Sequence, residues 1–549
     1  MSQRASGVEP THGWWHDAVI YQVYPRSFAA TNGTGLGDLR GIASRLPALR
    51  DLGVDAVWLS PFYASPQKDA GYDVADYCDV DPIFGTLADF DHMLTEAHGL
   101  GLKVIIDLVP NHSSDQHAWF QEALASEAGS PERARYIFRD GKGEHGELPP
   151  NNWDSVFGGP AWTRTINPDG TPGQWYLHLF DSSQPDFDWT NPEVWDMFDE
   201  VLRFWLGRGV DGFRIDVAHG LIKEAGLPDV VNLEDESRHT GGPFWDQDGV
   251  HEVYRRWNSV LKEFGDDRIL TAEAWVMPLK KMAYYVRPGE MHQAFNFGYL
   301  TTRWDANDLK KVIDESLDAF PGVGAPATWV LSNHDVVRHT SRLGLNDPQG
   351  VQPTGLGPRS PRKPDPELSL RRGRAATALM LALPGSSYLY QGEELGLLEV
   401  IDIPDESRED PTFRRTGGER YGRDGCRVPI PWEKDAHAFG FAPAGTPWLP
   451  QPAWFAEFAR DQQEGDPSST LELYRTLLRV RREYGLGAGE VRWVDSPEGV
   501  VSFDNGPVRV VTNISDQAVT LPKGRVIASS LYPTPDMVEP DHTVWVLRD

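Results

Sequence analysis

Cysteine is scarce in this 549-residue chain: there are two, Cys78 and Cys426. They stand far apart and neither falls in a metal-type spacing, so both read as free buried thiols and not as a disulfide or as ligands. Basic residues are short as well. Lys and Arg number 52 against 81 Asp and Glu, a formal charge of −29. That imbalance speaks against nucleic acid and anionic membrane surfaces as partners, and suits a neutral or cationic ligand. Long apolar runs are missing: none reaches the roughly 18 residues that a spanning helix needs. The opening stretch, Met1 to Trp15, is polar and lacks the apolar centre of a secretory signal. A cytoplasmic protein with no membrane partner is therefore expected. What is plentiful is tryptophan, 20 residues within an 11% aromatic content. Filling a large core accounts for such rings, and their flat faces also suit sugars.

From Val19 the chain alternates short apolar runs with longer amphipathic stretches. Strands are predicted near Val19, Ala56, Val104, Phe213, Ile269, Ala294, Thr328 and Tyr388. Helices are predicted over Leu39–Leu52, Leu87–Gly99, Val194–Leu206 and Arg371–Leu383. Strand and helix in this rhythm build parallel βαβ units, and eight such strands make a (β/α)8 TIM barrel, an α/β fold. The rhythm breaks at Pro110 and resumes after Pro185. The stretch between is rich in Gly, Pro, Asn and Trp and too long for a loop, so residues 110–185 are expected to form an inserted subdomain. Residues 1–109 and 186–480 then make the barrel. Glu399–Pro450 reads as a long charged loop over one barrel face. From Val491 the pattern changes to short β runs separated by Gly, Pro and Asn, and residues 481–549 are expected to form a C-terminal antiparallel β domain.

The most informative stretch is Gly212-Phe213-Arg214-Ile215-Asp216-Val217. Alternation along a strand puts Arg214 and Asp216 on one face and the apolar residues on the other. Burying charge is costly unless it is paired. An isolated Arg-x-Asp reads as a structural ion pair, or as a nucleophilic carboxylate kept ionised by the guanidinium beside it. Its company bears on the choice, because active sites of such barrels gather at the C-terminal strand ends. The third strand ends in Asp107 and runs into Asn111-His112. The fifth carries Glu273, and the seventh runs into Asn333-His334-Asp335. Several carboxylates with a guanidinium and two imidazoles suit glycoside hydrolysis: one carboxylate attacks the anomeric carbon while a second, kept protonated by its surroundings, protonates the leaving oxygen. The same residue types ligate metals, but no compact ligand motif accompanies them, so no metal and no cofactor is expected.

Four motifs together carry a family resemblance: Asp107–His112 (DLVPNH), Gly212–Val217 (GFRIDV), Glu273 within AEAW, and Ser332–Asp335 (SNHD). In this order they resemble the sequence regions of the α-amylase superfamily, glycoside hydrolase family thirteen, over Val19 to about Trp432. Gln184-Pro185-Asp186-Phe187-Asp188-Trp189 resembles the end of that family's inserted domain in exo-acting α-glucosidases and oligo-1,6-glucosidases. The resemblance implies that Asp216 is the nucleophile, Glu273 the acid/base and Asp335 the transition-state stabiliser. It implies that Arg214 orients Asp216, that His112 and His334 hydrogen-bond the sugar and that Tyr72 stacks under it. It further implies that Asp73 pairs with Arg427 to hold the terminal glucose, and that Phe157, Phe180 and Arg338 form pocket wall and rim. Val217 would border the leaving sugar.

Two departures stand out. Many relatives carry a calcium-type loop after the first strand, yet here Ala30 and Thr34 replace carboxylates in Ala30–Asp38. Losing two hard anionic oxygens predicts no tight metal there. Val217 resembles α-1,6-acting members, whereas Phe187-Asp188 and Ala274-Trp275 look like α-1,4-acting ones. The resemblance therefore implies a retaining exo-α-glucosidase acting on maltose-like small oligosaccharides, α-1,4 favoured, with transglucosylation on the side. An oligo-1,6-glucosidase and a sucrose or maltose isomerase remain the alternatives within the family. A non-catalytic relative is disfavoured by the full carboxylate set.

Overall fold

The computed structural model describes residues 13–548 apart from 168, 232–240 and 346–354. The eight apolar runs are eight parallel strands: β1 (Val19–Val23), β2 (Ala56–Leu59), β3 (Lys103–Leu108), β4 (Gly212–Ile215), β5 (Ile269–Ala272), β6 (Gln293–Ala294), β7 (Thr328–Val330) and β8 (Ser386–Tyr390). Their order is β6-β5-β4-β3-β2-β1-β8-β7. The Asn296 N–H donates to the Thr328 carbonyl at 3.0 Å, which joins the two outer strands and brings the sheet round into a barrel. Alternation sorts the side chains. Ile20, Trp58, Ile105, Ile269, Phe295, Val330 and Tyr388 form one cluster, inside the barrel. Tyr21, Val23, Val57, Leu59, Val104, Ile106, Phe213 and Ile215 belong to another, between strands and helices. Gly212 is needed at the start of β4, because a Cβ there would lie 2.6 Å from the Ile269 carbonyl oxygen.

Helices Leu39–Leu52 and Leu87–Gly99 have the bounds that the sequence predicts. The first opens on Asp38, which accepts from the Gly41 N–H at 2.6 Å, and closes on Gly53 in the left-handed region. The second has a reciprocal capping box between Thr86 and Asp89. The helix predicted from Arg371 begins at Pro366, since the Asp365 carboxylate caps it. Sequence reading missed Val250–Lys262, Ala306–Ala319 and Thr470–Glu483. The first of these has no start signal: Gly249 precedes it and makes no side-chain cap.

Between β3 and β4 the chain forms helix Ala118–Ala125 and an antiparallel sheet of Phe138–Arg139, Pro172–Leu177 and Trp162–Ile166, with Pro172–Leu177 in the middle. At the other end of the chain Val491–Trp493, Val500–Asn505, Val508–Asn513, His542–Leu547 and Arg525–Ser529 make a five-stranded antiparallel sheet. That sheet is anchored on helix Pro366–Leu381, where Trp545 Nε1 and Thr543 Oγ1 donate to the Ala378 and Ala375 carbonyls, both at 2.9 Å. The charged segment after β8 is less open than a covering loop: it contains helix Asp424–Arg427, whose four residues are all buried. In the Ala30–Asp38 loop the Asp38 carboxylate is taken up by Thr31, Asn32 and Gly41 donors. No helix among the described residues is long and apolar enough to cross a membrane.

Behind β8 lies a buried carboxyl with a testable signature. Glu393 accepts from the Tyr390 N–H at 3.0 Å and from the Tyr474 hydroxyl at 3.4 Å, and burial pushes it from its ordinary 4.5 up to about 8. A carboxyl raised in the fold contributes most stability below its unfolded value and loses it as pH rises through the folded one. Thermal unfolding between pH 5 and pH 8 is expected to reveal a falling midpoint. Glu393→Gln, which cannot ionise, should flatten that fall and unfold on the order of 2 °C higher than the parent at pH 8. Parallel pH profiles for the two proteins would count against this account of Glu393.

Candidate active site

Register brings the strand-end charges together. Across β3, β4 and β5, Asp107 sits beside Arg214 and Arg214 beside Thr271. Two residues further, on the same face, come Asp216 and Glu273. Their N–H groups continue the ladders, to Leu108 and Ile215 carbonyls at 2.9 and 3.0 Å. Arg214 is fully buried and its Nη1 donates to Asp107 Oδ1 at 2.8 Å and to Asp216 Oδ1 at 2.7 Å. Its Nη2 lies 3.7 Å from Glu273 Oε2. Alternation ends at Val217, which has φ +47°. A β-branched residue is strained there. The turn aims the Val217 N–H at Glu273 Oε2, 2.7 Å away.

A second group closes the site from the β7 and β8 side. Asp335 Oδ1 accepts from Arg427 Nη2 at 2.9 Å and Arg423 Nη1 at 3.1 Å. Arg423 also binds Asp69 at 2.8 Å and Asp410 at 2.5 Å. Gln22 Nε2 donates to His334 Nδ1 at 2.7 Å, so the imidazole proton sits on Nε2, which meets the Tyr72 hydroxyl at 2.5 Å. Tyr72 in turn donates to Asp107 Oδ2 at 3.0 Å. His112 lies against the Tyr72 carbonyl and the Gln184 amide, at 3.2 and 3.1 Å. Burial keeps both histidines neutral, pulling His334 well below the usual range and His112 down to about 4.

Asp69, Tyr72, His112, Phe157, Phe180, Asp216, Val217, Glu273, Asp335 and Arg423 share the wall of one cavity of about 430 Å³. The structure also departs from the sequence reading. Asp73 is away from this cavity. Its oxygens accept from Ser65 Oγ and from the Lys68 and Asp69 N–H groups, so it holds the turn. Arg427 reaches Asp335 and the His334 carbonyl, not Asp73. The pair that meets in the pocket is Asp69 with Arg423. The chain passes through Ala70 and Gly71, both at positive φ, and this folds Asp69 back towards the site. The choice between two nearby carboxylates on one loop depends on that turn. Arg338 is no rim residue either: it is buried, with Nη1 and Nη2 on the Gln391 and Cys426 carbonyls at 2.8 and 2.9 Å. Trp275 of the AEAW motif, stacked on Phe297 at 4.1 Å, lines the cavity, and so does Trp245, which no motif singled out.

The carboxylates are driven apart electrostatically. Burial pushes Asp216 well above the usual carboxylate range; Arg214 pulls it back, and Glu273 and Asp107 push it up again. Burial likewise raises Glu273, against Arg214 and the Val217 N–H. Such a pair retains one proton more readily than two separate carboxyls would. Asp216 has the shorter contact to Arg214, which assigns the retained proton to Glu273. Asp335 goes the other way. Burial opposes its ionisation, but His334 and the two guanidiniums of Arg423 and Arg427 hold it below the usual range. With His334 neutral, the guanidiniums carry this effect. Asp335 is also the open one, its side chain 34% exposed. Among the described residues no three of His, Cys, Asp and Glu form a metal-holding group.

One cation ties the site to the segment between β3 and β4. Lys223, beyond β4, is buried and its Nζ lies 2.8 Å from Asp186 Oδ2, 2.7 Å from Asn111 Oδ1 and 2.5 Å from the Gly220 carbonyl.

Residues 22–488 match the family model described as alpha amylase, catalytic domain. The chain belongs to the alpha-amylase family of glycoside hydrolases. Among curated members it is similar to a probable alpha-glucosidase of Rhizobium meliloti, 38% identical over 94% of this chain and 92% of that protein. It is 34% identical to an oligo-1,6-glucosidase of Parageobacillus thermoglucosidasius, over 98% of this chain and 94% of that one. Among solved structures, the alpha-glucosyl transfer enzyme XgtA superposes with a TM-score of 0.82 at 34% identity, covering 98% and 100% of the two chains. Trehalulose synthase MutB from Pseudomonas mesoacidophila MX-45 gives 0.84 at 30% identity, covering 98% and 100%.

Proposed function

We propose that this alpha-amylase family member is a retaining exo-α-glucosidase that frees glucose from the non-reducing end of maltose and short oligosaccharides, α-1,4 linkages favoured. The observation that carries the reading is the sharing of Arg214. Its Nη1 lies 2.7 Å from Asp216 and its Nη2 3.7 Å from Glu273, which favours an ionised Asp216 fit to attack, with a second carboxyl beside it to serve as acid and base. Asp216 attacks the anomeric carbon as Glu273 gives its proton to the leaving oxygen. Glu273, now ionised, takes a proton from water, which attacks the glucosyl–Asp216 ester and frees both partners. A sugar hydroxyl in place of water gives transglucosylation. Asp335 is ionised and partly exposed, fit to stabilise the oxocarbenium-like state and to accept from ring hydroxyls. Asp69 and Arg423 supply an acceptor and a planar donor for the hydroxyls of a terminal glucose, which supports exo action. An acidic protein of this kind acts on small oligosaccharides in the cytoplasm, without nucleic acid, membrane, metal or cofactor.

Initial rates on maltose, isomaltose, sucrose and maltotriose, compared side by side, test the reading. Free α-glucose should appear first, with maltose ahead of isomaltose. Consumption of maltose or sucrose without free glucose would overturn hydrolysis in favour of an isomerase, a second reading supported by the likeness to trehalulose synthase. Arg423→Lys keeps the charge but loses the fork that serves Asp69, Asp335 and Asp410 together. Its kcat/KM on maltose should fall about 100-fold, largely through KM. An unchanged KM would remove Arg423 from glucose binding.

A further inference from the structure

We propose that Asp410 is a positioning residue for substrate binding: from behind the cavity wall it aims the Arg423 fork at the sugar. The inference rests on the glucose-binding role given to Arg423 above and adds the group that sets its geometry. Arg423 is part of the cavity wall, whereas Asp410 stands outside that wall and is 2% exposed. A sugar in the cavity does not touch Asp410, so any part it plays is played through another residue.

Each of the three guanidinium nitrogens of Arg423 meets a different carboxylate. Nη1 and Nη2 reach Asp335 and Asp69, both wall residues, at 3.1 and 2.8 Å. Nε reaches Asp410 Oδ2 at 2.5 Å. Contacts at the two ends alone leave a planar group free to pivot on the line that joins them, and a third contact fixes its plane. The Phe157 ring, 5.1 Å from the guanidinium carbon, supports the same plane from one side. Nη1 and Nη2 carry two hydrogens each, and the carboxylates Asp335 and Asp69 take up one apiece, so each nitrogen retains a hydrogen for a sugar hydroxyl. The plane of the fork decides where those hydrogens lie.

Asp410 is built into its place. Its Oδ2 accepts a second time, from the Arg423 main-chain N–H at 2.9 Å, and its own N–H donates to Asp424 Oδ2 at 3.2 Å. The two carboxylates hold the chain at 410 and at 423–424 together from both sides. A Cβ on Gly422 would come within 2.5 Å of the Asp410 carboxyl carbon, so glycine there lets the carboxylate approach. Burial opposes ionisation of Asp410, yet Arg423 and Arg427 hold its carboxyl down to about 2, so its contact to Arg423 is one between full charges. The competing role is local: Oδ1 accepts from the Thr412 N–H at 2.7 Å and caps helix Pro411–Arg415. The two oxygens divide these roles, and substitutions can divide them too.

Serine also caps helices but is too short to reach the Arg423 side chain. Asp410→Ser should raise KM on maltose about ten-fold, the scale of one hydrogen bond between charged groups, with kcat within about three-fold of the parent. Asp410→Asn keeps a capping oxygen and sets amide hydrogens against those of Arg423; it should do the same, and it serves if the serine variant does not fold. In an Arg423→Lys background, where no fork is left to aim, Asp410→Ser should raise KM less than about three-fold further. Rates are followed as loss of maltose, so the comparison holds whichever product forms. A rise in KM below about three-fold in either folded variant, a loss that falls mainly on kcat, or a rise as large in the Arg423→Lys background as in the parent overturns the inference and leaves Arg423 as the proposed glucose contact. An unchanged KM in Arg423→Lys alone overturns that contact, and this inference with it.

Discussion

Asp216→Asn is expected to lower kcat/KM on maltose by about 10⁴-fold or more, the scale on which removal of a covalent nucleophile is felt. The substitution keeps the shape of the side chain and one hydrogen-bond acceptor for Arg214 Nη1, which also retains Asp107 at 2.8 Å. What it removes is the oxygen that would bond to the anomeric carbon. The fold should survive and gain. Burial raises Asp216 in the folded protein, so its charge costs stability as pH rises above the ordinary 3.8. Asn has no charge to bury, and its unfolding midpoint should exceed that of the parent by more at pH 7 than at pH 4. Turnover and melting thus move in opposite directions, a pairing expected where a site stores strain for function. Near-parent turnover in Asp216→Asn would refute the nucleophile assignment. Loss of turnover with an equal loss of stability would reduce Asp216 to a structural ion pair.

The largest expected loss of stability belongs to Lys223→Met. Lys223 and Asp186 have side chains 3% and 0% exposed, and the ammonium serves three oxygens from separate parts of the chain. Asn111 follows β3, Gly220 follows β4, and Asp186 stands just before helix Pro192–Arg208. Methionine keeps the aliphatic stem and deletes the charge. The Asp186 carboxylate would then rely on the Leu179 N–H at 2.9 Å and the Asn111 amide at 3.1 Å. Breaking one side of a buried ion pair costs about 3–5 kcal/mol, because the other charge is left without its partner. Denaturant unfolding measures the loss, and amide exchange should find its greatest increase within residues 110–186. Lys223→Met with Asp186→Asn should recover a substantial part, since the abandoned charge is then gone as well. If the double variant is no more stable than Lys223→Met alone, the damage lies in lost packing and not in charge.

Much of this was written along the chain. Each of the eight barrel strands announces itself as a short apolar run, and the capped helices Leu39–Leu52 and Leu87–Gly99 carry their boundaries in Asp38, Gly53 and the Thr86–Asp89 box. Helix Val250–Lys262 carries no such cap, and it was missed. The four carboxylates Asp107, Asp216, Glu273 and Asp335 were legible for a local reason: each sits on a strand end or just beyond, and a strand's direction and alternation are properties of its own sequence.

The remaining choices were made by tertiary structure. Asp69 and Asp73 flank the same tyrosine, three residues before it and directly after it, and only the turn through Ala70 and Gly71 turns one towards the cavity and spends the other on backbone N–H groups. Arg423 and Arg427 are likewise one helical turn apart, and both reach Asp335, but Arg423 alone extends to Asp69. The triple contact of Lys223 has no trace in local pattern at all. Sequence by itself determined the fold and the placing of the carboxylates at strand ends, because strand and helix formation depend on neighbours along the chain. Which guanidinium and which carboxylate meet in the cavity depends on loops from different strands coming together in space, and that meeting exists only once the barrel has closed.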